Sequence, residues 1–477
     1  MKKLFAIIAS AILLVSLSGC EKFLTELPKS TLVAENSFTT EADWEKALTG
    51  AYAMLQKVFI EKQTIVLNEF GTDEVEPFDL SWALYVQLKY YTFTAQHEFF
   101  RCHYIWAYDG IKRCNTVLDM PESAPISAEK RKVMAAQAKF LRAIFYFDLV
   151  SYYGGVPIWT SSAIDPAQIN KPRSTEDQVY ALIFKDMEDA ALALPEKWES
   201  PSDAGRATSL AAYALLGRFY LQHHEPDKAL VALNHIDGTK FSLYSNLNDI
   251  FLPSHKNEMK ENIFEVQFSH SGNWGIEGSL QSSYWGPRGG GGPTNNGFGW
   301  GGFGPSQYTY DQYEVTDKRR AAWFATSYNG VPQNPPCCMK FRDPDYNNVI
   351  EDDDLNYVMM RYADVLLMKA EALNETDDPS IAKYDCINEV RARAGASLLS
   401  GLSKDQFRDA VLKERLLELN CEHHRRTDLI RFGKLAEQVN AAFPDITLDE
   451  HNNLYPIPQQ AIDSNTAMDQ SDQNPGY

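Results

Sequence analysis

The chain has 477 residues, of which 44% are hydrophobic and 23% charged, a composition typical of a globular protein and not of a disordered one. Its length allows one large or two ordinary domains with a sizeable core. The formal net charge of −19 makes nucleic acid and anionic membrane surfaces poor partners.

The N-terminal residues have the pattern of a bacterial lipoprotein signal. Two lysines precede an apolar run that is too short to be a permanent membrane span, and the segment ends in Leu-Ser-Gly-Cys20. This lipobox predicts a signal peptide over residues 1–19 and lipidation of Cys20. Residues 20–36 are polar and are interpreted as a tether that leads into a single domain over residues 37–477. No other apolar run is long enough to span a membrane, so we expect attachment through the lipid alone.

Helical periodicity covers most of the remaining chain. Apolar residues at spacings of three and four predict helices near residues 40–56, 99–120, 131–153, 175–194, 404–419 and 428–442. A further helix is predicted to begin at Tyr357. The sequence therefore predicts a mainly α-helical fold.

Two stretches predict helical hairpins. Within residues 211–236, the residues that match the tetratricopeptide pattern are Tyr213, Leu216, Gly217, Tyr220 and Ala229. Residues 361–395 have the same helix–turn–helix form, with Asp378 suited to cap the second helix, Pro379 to begin it and Gly395 to lie just past its end. One hairpin has too little apolar surface to be stable alone, so we expect the hairpins to stack.

The pattern changes between residues 241 and 356. Alternating apolar residues at 263–268 predict a strand, and glycines with aromatic residues dominate 274–310. Long structured loops are where function usually lies. We therefore expect this loop-rich insertion to take part in ligand binding.

Eight stretches, in this order along the chain, resemble the SusD/RagB family, the surface lipoproteins of Bacteroidetes nutrient-uptake systems. They are the lipobox, AKFLRAIFYFDLVSYYGGVPIW, GRATSLAAYALLGRFYL, GWGGFGPSQYTYDQYEVTDKR, RYADVLLMKAEALNE, INEVRARAG, ERLLELNCEHHRRTDLIRFG and the terminal LYPIP…QNPGY. The chain departs from the family at Cys421 and the two histidines after it, where the family usually has an EG-x-R segment.

The resemblance implies a SusD-like α-helical fold with tetratricopeptide-like hairpins and a loop-rich half with a few short strands. It also implies a binding protein, not an enzyme, that is lipid-anchored in the outer membrane and faces outward. Such a protein captures a nutrient, most often an oligosaccharide, and delivers it to a partner TonB-dependent SusC-like transporter. A peptide ligand on the same architecture is an alternative. A surface glycoside hydrolase is another, and it needs a pair of carboxylates that no motif here reveals.

Ligand-contacting residues vary across the family, so the candidates rest on chemistry. Sugars stack their C–H faces on aromatic rings and bind amides and carboxylates through their hydroxyls. One cluster offers the candidate contacts Asp73, Trp82 and Tyr85, with Glu74, Phe78 and Asp79 beside them. A second offers Trp274, Gln281, Tyr284, Trp285, Arg288 and Asn296, with Asn295 beside them. Core packing is the alternative for each aromatic residue. Trp300 lies in a Gly-Trp-Gly motif that the family shares whatever the ligand, and is interpreted as framework.

No catalytic motif and no cofactor are predicted, apart from a weak calcium signal. It consists of Asp343, Asp345, Asn347, Glu351 and Asp354, at positions one, three, five, nine and twelve of a calcium loop. Asn348 replaces the glycine of position six, and Pro344 interrupts the loop. A solvated acidic loop is the alternative interpretation.

Overall fold

The structure, a computed structural model, describes residues 38–163, 169–270, 278–287, 300–343, 351–376 and 381–477. The predicted signal peptide, Cys20 and the predicted tether lie outside these residues. The chain divides into two compact units. The small unit comprises Met1–Lys46 and Pro121–Ile126, and the large one comprises Ala47–Met120 and Ser127–Tyr477.

In the described part of the small unit, the rings of Phe38 and Trp44 stack with their centroids 4.5 Å apart. The Asp43 carboxylate accepts hydrogen bonds from the Thr40 backbone N–H at 2.9 Å and from its hydroxyl at 2.8 Å. This contact lies where the first described helix begins.

The fold is mainly α-helical, as the sequence predicts. The α-helices of the described residues are α1 (Glu41–Phe59), α2 (Ala83–Tyr90), α3 (Glu98–Leu118), α4 (Ala128–Tyr153), α5 (Glu176–Ala193), α6 (Ser209–Gln222), α7 (Pro226–Leu233), α8 (Gln281–Trp285), α9 (Gln307–Asp311), α10 (Lys318–Ala322), α11 (Tyr362–Glu375), α12 (Ala382–Ala394), α13 (Lys404–Glu418), α14 (Arg425–Arg431), α15 (Leu435–Ala442) and α16 (Gln459–Asp463). No helix among the described residues is long and apolar enough to cross a membrane.

Local signals place several helix ends. The Thr175 side chain caps α5 and forms a reciprocal capping box with Gln178. Ser403 and Gln406 form the same motif at the start of α13. Each motif satisfies backbone N–H groups that the first helical turn leaves without partners.

The two predicted hairpins are confirmed, and they stack. Helices α6 and α7 pack together, α7 packs on α11, and α11 packs on α12 and α13. Gly217 permits the close approach of α6 and α7, since a Cβ there would lie 2.4 Å from Leu233. Gly395 ends α12 with φ of 70°, as predicted. Asp378 and Pro379 lie outside the described residues, and the described part of α12 begins at Ala382.

Two helix predictions are wrong. The segment Tyr357–Arg361 is strand β6, and α11 begins only at Tyr362, because this segment pairs with a distant strand. The helix predicted over 428–442 is two helices, α14 and α15. Gly433 separates them with φ of 65°, a left-handed conformation that cannot continue a helix.

The described strands form three two-stranded antiparallel sheets. The strands are β1 (Val75–Pro77), β2 (Asn262–Val266), β3 (Phe303–Pro305), β4 (Phe324–Tyr328), β5 (Val331–Cys338) and β6 (Tyr357–Arg361). Strand β1 pairs with β3, β2 with β6 and β4 with β5. Except for β1 and β6, they lie in the predicted loop-rich insertion.

Strand β6 meets the helical hairpins at a buried cluster of charged side chains. The Arg361 guanidinium, which is 1% exposed, bonds to the carboxylates of Glu418 at 2.6 Å and Glu422 at 2.7 Å. Glu261 of the segment before β2 lies 2.9 Å from Arg361, and Arg393 contacts both Glu261 and Glu418. Burial alone would raise the pKa of Glu418, yet Arg393 and Arg361 hold it well below its ordinary value.

The same cluster continues into the loop-rich half. Arg319 of α10 bonds to Glu414 at 2.7 Å and to Glu418 at 3.0 Å. Lys340 donates to Glu422 at 2.6 Å and to the backbone carbonyl of Glu418 at 2.9 Å. Because these groups are out of water, each depends on partners of opposite charge. The cluster therefore fixes the loop-rich half to helix α13.

The Arg361→Ala variant tests this dependence, because it leaves Glu418 and Glu422 buried with one fewer cation. We expect the free energy of unfolding to fall by about 4 kcal/mol. The partly exposed pair of Arg408 with Glu375, 2.5 Å apart, supplies the control. Arg408→Ala should cost less than about 1 kcal/mol. Urea denaturation of both variants measures the difference, and equal losses would contradict the assignment.

Candidate ligand-binding site

The pairing of β1 with β3 joins two segments that are far apart in sequence. Val75 lies opposite Pro305 and Pro77 opposite Phe303. Just past β1, the Phe78 backbone N–H donates to the carbonyl of Gly302 at 2.7 Å. The first predicted aromatic cluster therefore lies against the glycine-rich segment of the insertion.

Glycines in this segment make room for aromatic rings. A Cβ on Gly302 would lie 2.2 Å from the Trp82 indole, and a Cβ on Gly304 would lie 2.7 Å from the Phe78 ring. Each ring therefore lies directly on the backbone of the glycine-rich segment, where no side chain could fit. These contacts explain why residues 302 and 304 are glycines.

Trp82 and Trp300 belong to one surface cluster that Tyr284 and Glu351 hold together. The ring centroids of Trp82 and Tyr284 are 6.0 Å apart. The Tyr284 hydroxyl donates to Glu351 Oε1 at 3.0 Å, and the Trp300 indole N–H donates to the same oxygen at 3.1 Å. Ser283 bonds to both segments: its carbonyl accepts the Trp300 N–H at 2.7 Å, and its hydroxyl accepts the Glu351 N–H at 2.9 Å.

The protonation of Tyr284 suits this arrangement. Burial raises the pKa of its phenol, and the nearby Tyr85 and Glu351 raise it further. The hydroxyl therefore keeps its proton and remains a donor to Glu351. The rings of Tyr284 and Trp300 are therefore held in place by contacts within the protein.

The outer surface of the cluster combines apolar and acidic groups. Trp300 is 47% exposed, Trp82 is half-buried, and Leu80 next to it is 66% exposed. Asp79 is exposed and accepts hydrogen bonds from the backbone and hydroxyl of Ser81, which lower its pKa. Two fixed indoles beside an ionised carboxylate can stack on a sugar ring and accept hydrogen bonds from its hydroxyls.

Five of the predicted ligand contacts lie in the interior, not on exposed loops. Asp73 is fully buried and forms a two-point ion pair with Arg425, at 2.6 and 2.7 Å. The Tyr85 hydroxyl donates to the carbonyl of Lys62 at 2.8 Å, and its ring packs on Phe303.

The other three interior residues belong to α8. Gln281 donates to the Asn356 carbonyl at 3.3 Å, and Tyr284 bonds to Glu351 as described. Trp285 is fully buried, with its ring 4.7 Å from that of Phe303 in an edge-on contact. The short helix turns these side chains inward, whereas the sequence predicts an irregular segment here. Only Trp82 of the described candidates reaches the surface.

Several predicted residues cannot be placed. Trp274, Arg288, Asn295 and Asn296 lie outside the described residues, as do Asp345 and Asn347 of the calcium signal. The described members of that signal bind protein groups: Asp343 accepts the Asp354 N–H at 2.9 Å, Asp354 pairs with Lys256, and Glu351 accepts from the two aromatic donors. No group of three or more His, Cys, Asp or Glu side chains in the described ranges is arranged to hold a metal ion.

Trp300, which its Gly-Trp-Gly context predicts to be framework, is 47% exposed. Its glycine neighbours carry no side chains to cover the indole. A tryptophan between glycines on a structured loop is the signal that could have identified it.

The buried carboxylate of Asp353 binds the start of helix α8, which carries Tyr284. The Asp353 carboxylate accepts the Ser282 backbone N–H at 3.0 Å and the Ser282 hydroxyl, at the start of α8. Burial raises the pKa of Asp353 to about 7, and the nearby Asp343 contributes to the rise. Asp353 therefore changes charge near neutral pH.

Tetratricopeptide-like hairpins joined to a loop-rich half with short strands define a mainly α-helical protein of the SusD-like fold. Two family models match the sequence: the SusD family over residues 325–477, and a family described as starch-binding and associating with the outer membrane over residues 22–221. Both matches are to SusD-type families, and the predicted resemblance to the SusD/RagB family is confirmed.

Individual proteins agree with this assignment. A SusD-like protein of Formosa agariphila is 28% identical, over the full length of both chains. The solved structure of a laminarin-binding SusD-like protein is 27% identical, with a TM-score of 0.80 over 92% of this chain and 100% of that chain. Surface glycan-binding protein A of Bacteroides uniformis is 25% identical, with a TM-score of 0.77 over 91% of this chain and 99% of that chain.

The raised pKa of Asp353 predicts a pH-dependent stability. An acid whose pKa is raised by folding adds stability at low pH, and this contribution is lost as the pH rises through the folded-state pKa of about 7. The unfolding free energy of the wild type relative to Asp353→Asn should therefore fall between about pH 4 and pH 7. Denaturation across this range measures it. Asp79→Asn is the control and should show no such trend above about pH 5, since the pKa of Asp79 is lowered.

Gly302→Ala tests the contact between backbone and indole. A new methyl group must displace the Trp82 ring, so we expect a loss of about 2 kcal/mol and a shifted tryptophan emission. Gly238→Ala is the matched control, because its Cβ would meet the Tyr362 hydroxyl at an ordinary 3.5 Å. Unchanged emission in Gly302→Ala would show that the Trp82 ring does not lie on the Gly302 backbone.

Proposed function

We propose that this protein binds an oligosaccharide on the surface formed by Trp82 and Trp300 and does not cleave it. The observation that carries the proposal is the fixed pair of partly exposed indoles, tied together through Tyr284 and Glu351. Rings that are fixed before binding lose little conformational freedom when a sugar stacks on them. The laminarin-binding and glycan-binding relatives support the same ligand class.

The proposal includes delivery of the ligand to a partner in the outer membrane. The lipobox at Cys20 supports a lipid anchor, and the matching family is described as associating with the outer membrane. A TonB-dependent SusC-like transporter is the partner that family membership favours. The protein would then bind its oligosaccharide at the cell surface before transport.

Hydrolysis is the less favoured alternative. A glycosidase needs one carboxyl group that gives up a proton and a second that acts as base or nucleophile. In the described part of the surface, Glu351 accepts hydrogen bonds from two aromatic donors and Asp79 from Ser81. The Glu351 contacts favour a role for this carboxylate in positioning Tyr284 and Trp300. A peptide ligand would use the same indoles, and no contact favours it.

Replacing the indoles tests the proposal. We expect Trp82→Ala and Trp300→Ala each to weaken laminarihexaose binding by about tenfold, the loss of one ring–sugar contact. Trp198→Ala is the control, because Trp198 lines a different cleft beside Arg206. Calorimetry measures the affinities, with melting temperatures to confirm folding.

Two outcomes would contradict the proposal. Full glycan affinity in both indole variants would place the site elsewhere. New reducing ends after incubation of laminarin with the purified wild type would show cleavage and make the protein an enzyme.

A further inference from the structure

We infer that a cleft between helix α3 and the segment 458–465 is a second ligand site, one that binds an acidic sugar residue. The cleft has a volume of about 540 Å³, within the range of small-molecule sites. It shares no lining residue with the surface of Trp82 and Trp300. This inference does not depend on the proposed function of that surface.

The wall of the cleft is aromatic and aliphatic. Tyr104, Ile105 and Tyr108 of α3 line it, and Ile105 is 44% exposed. The Tyr108 hydroxyl donates to the carbonyl of Pro157 at 2.7 Å, which fixes its ring. Trp159 forms the opposite part of the wall and is half-buried. Such a wall can receive the C–H face of a sugar ring.

Trp159 is also held in place. Its carbonyl accepts the Asn115 side-chain amide at 3.0 Å and the Tyr146 hydroxyl at 3.0 Å. The Lys171 ammonium lies 4.4 Å from the centroid of its indole and donates to the Ile158 carbonyl at 3.0 Å. The indole is therefore positioned with a cation beside it.

Positive charge without a carboxylate partner distinguishes this cleft. Arg101 and Lys112 line it, and their spacing places them on the same face of α3 as Ile105 and Tyr108. Among the described residues, no carboxylate lies within salt-bridge distance of Arg101, Lys112 or Lys171. The Arg101 guanidinium is half-buried and contacts the Cys102 sulfur at 3.6 Å.

This arrangement is unusual for a chain with a net charge of −19. Elsewhere on α3, Arg113 pairs with Asp109 at 2.9 Å. The Asp119 carboxylate accepts hydrogen bonds from Ser162 and from Ser161, which lines the cleft. Arg101 and Lys112 in the cleft, with Lys171 beside Trp159, have no carboxylate partner among the described residues. Cations of this kind next to an aromatic wall fit a ligand that has both an apolar face and a negative charge.

A sugar residue with a carboxylate or a sulfate group has these two properties. Its ring would lie against Trp159 and Tyr104, and its anionic group would face Arg101 and Lys112. The side-chain amides of Asn170 and Gln460 line the same cleft and can bond to hydroxyl groups. A neutral sugar would leave these cations without an anionic partner.

Calorimetry on the purified full chain tests the inference with three probes: tetragalacturonic acid, a sulfated carrageenan tetrasaccharide and neutral laminarihexaose. We expect at least one acidic probe to bind, and its affinity to fall about tenfold in Arg101→Gln and in Trp159→Ala. It should also fall as the salt concentration rises. Arg113→Gln, on the same helix but in an ion pair, should change nothing. The acidic probe that binds identifies the anionic group.

The variants separate this site from the first surface. Arg101→Gln should leave laminarihexaose binding unchanged, and Trp300→Ala should leave the acidic probe unaffected. Failure of both acidic probes to bind would overturn the inference. So would an acidic probe whose affinity depends on Trp300 and not on Arg101, or a loss of laminarihexaose affinity in Arg101→Gln.

Discussion

The buried ion pairs around Arg361 and Glu418 are the interaction on which the rest of the structure depends. A charge removed from water must be balanced where it lies, so Glu418 can occupy the end of α13 only if Arg361, Arg393 and Arg319 all reach it. These cations come from β6, α12 and α10, elements that are separated in sequence. The cluster therefore specifies how the helical hairpins meet the loop-rich half.

A second constraint positions the candidate site: aromatic rings lie in close contact with glycine backbone. Trp82 lies on Gly302, and Trp300 shares a carboxylate oxygen with Tyr284. Each indole is held by residues that a different part of the chain supplies, which is why the surface can be rigid although its segments have little regular structure.

Much of the fold can be predicted from local sequence, whereas the site cannot. The hairpins follow from apolar spacing and from Gly217 and Gly395, which act within one or two turns of helix. The burial of Trp285 and the exposure of Trp300 follow instead from the pairing of β1 with β3 and from the packing of α8, which depend on residues far away in sequence. Local spacing predicts helix for strand β6 for the same reason, because its partner β2 lies far away in sequence.

Strand β6 and helix α11 are joined in a way that limits how the two halves can move. Arg361 is both the last residue of β6 and the residue that precedes the first turn of α11, so strand and helix follow each other without a linker. A linker would allow the two halves to swivel. Without one, and with the Arg361 side chain bonded to three carboxylates, the loop-rich half keeps a fixed orientation relative to the helical hairpins. A change in the orientation of the surface of Trp82 and Trp300 would therefore have to carry the hairpins with it.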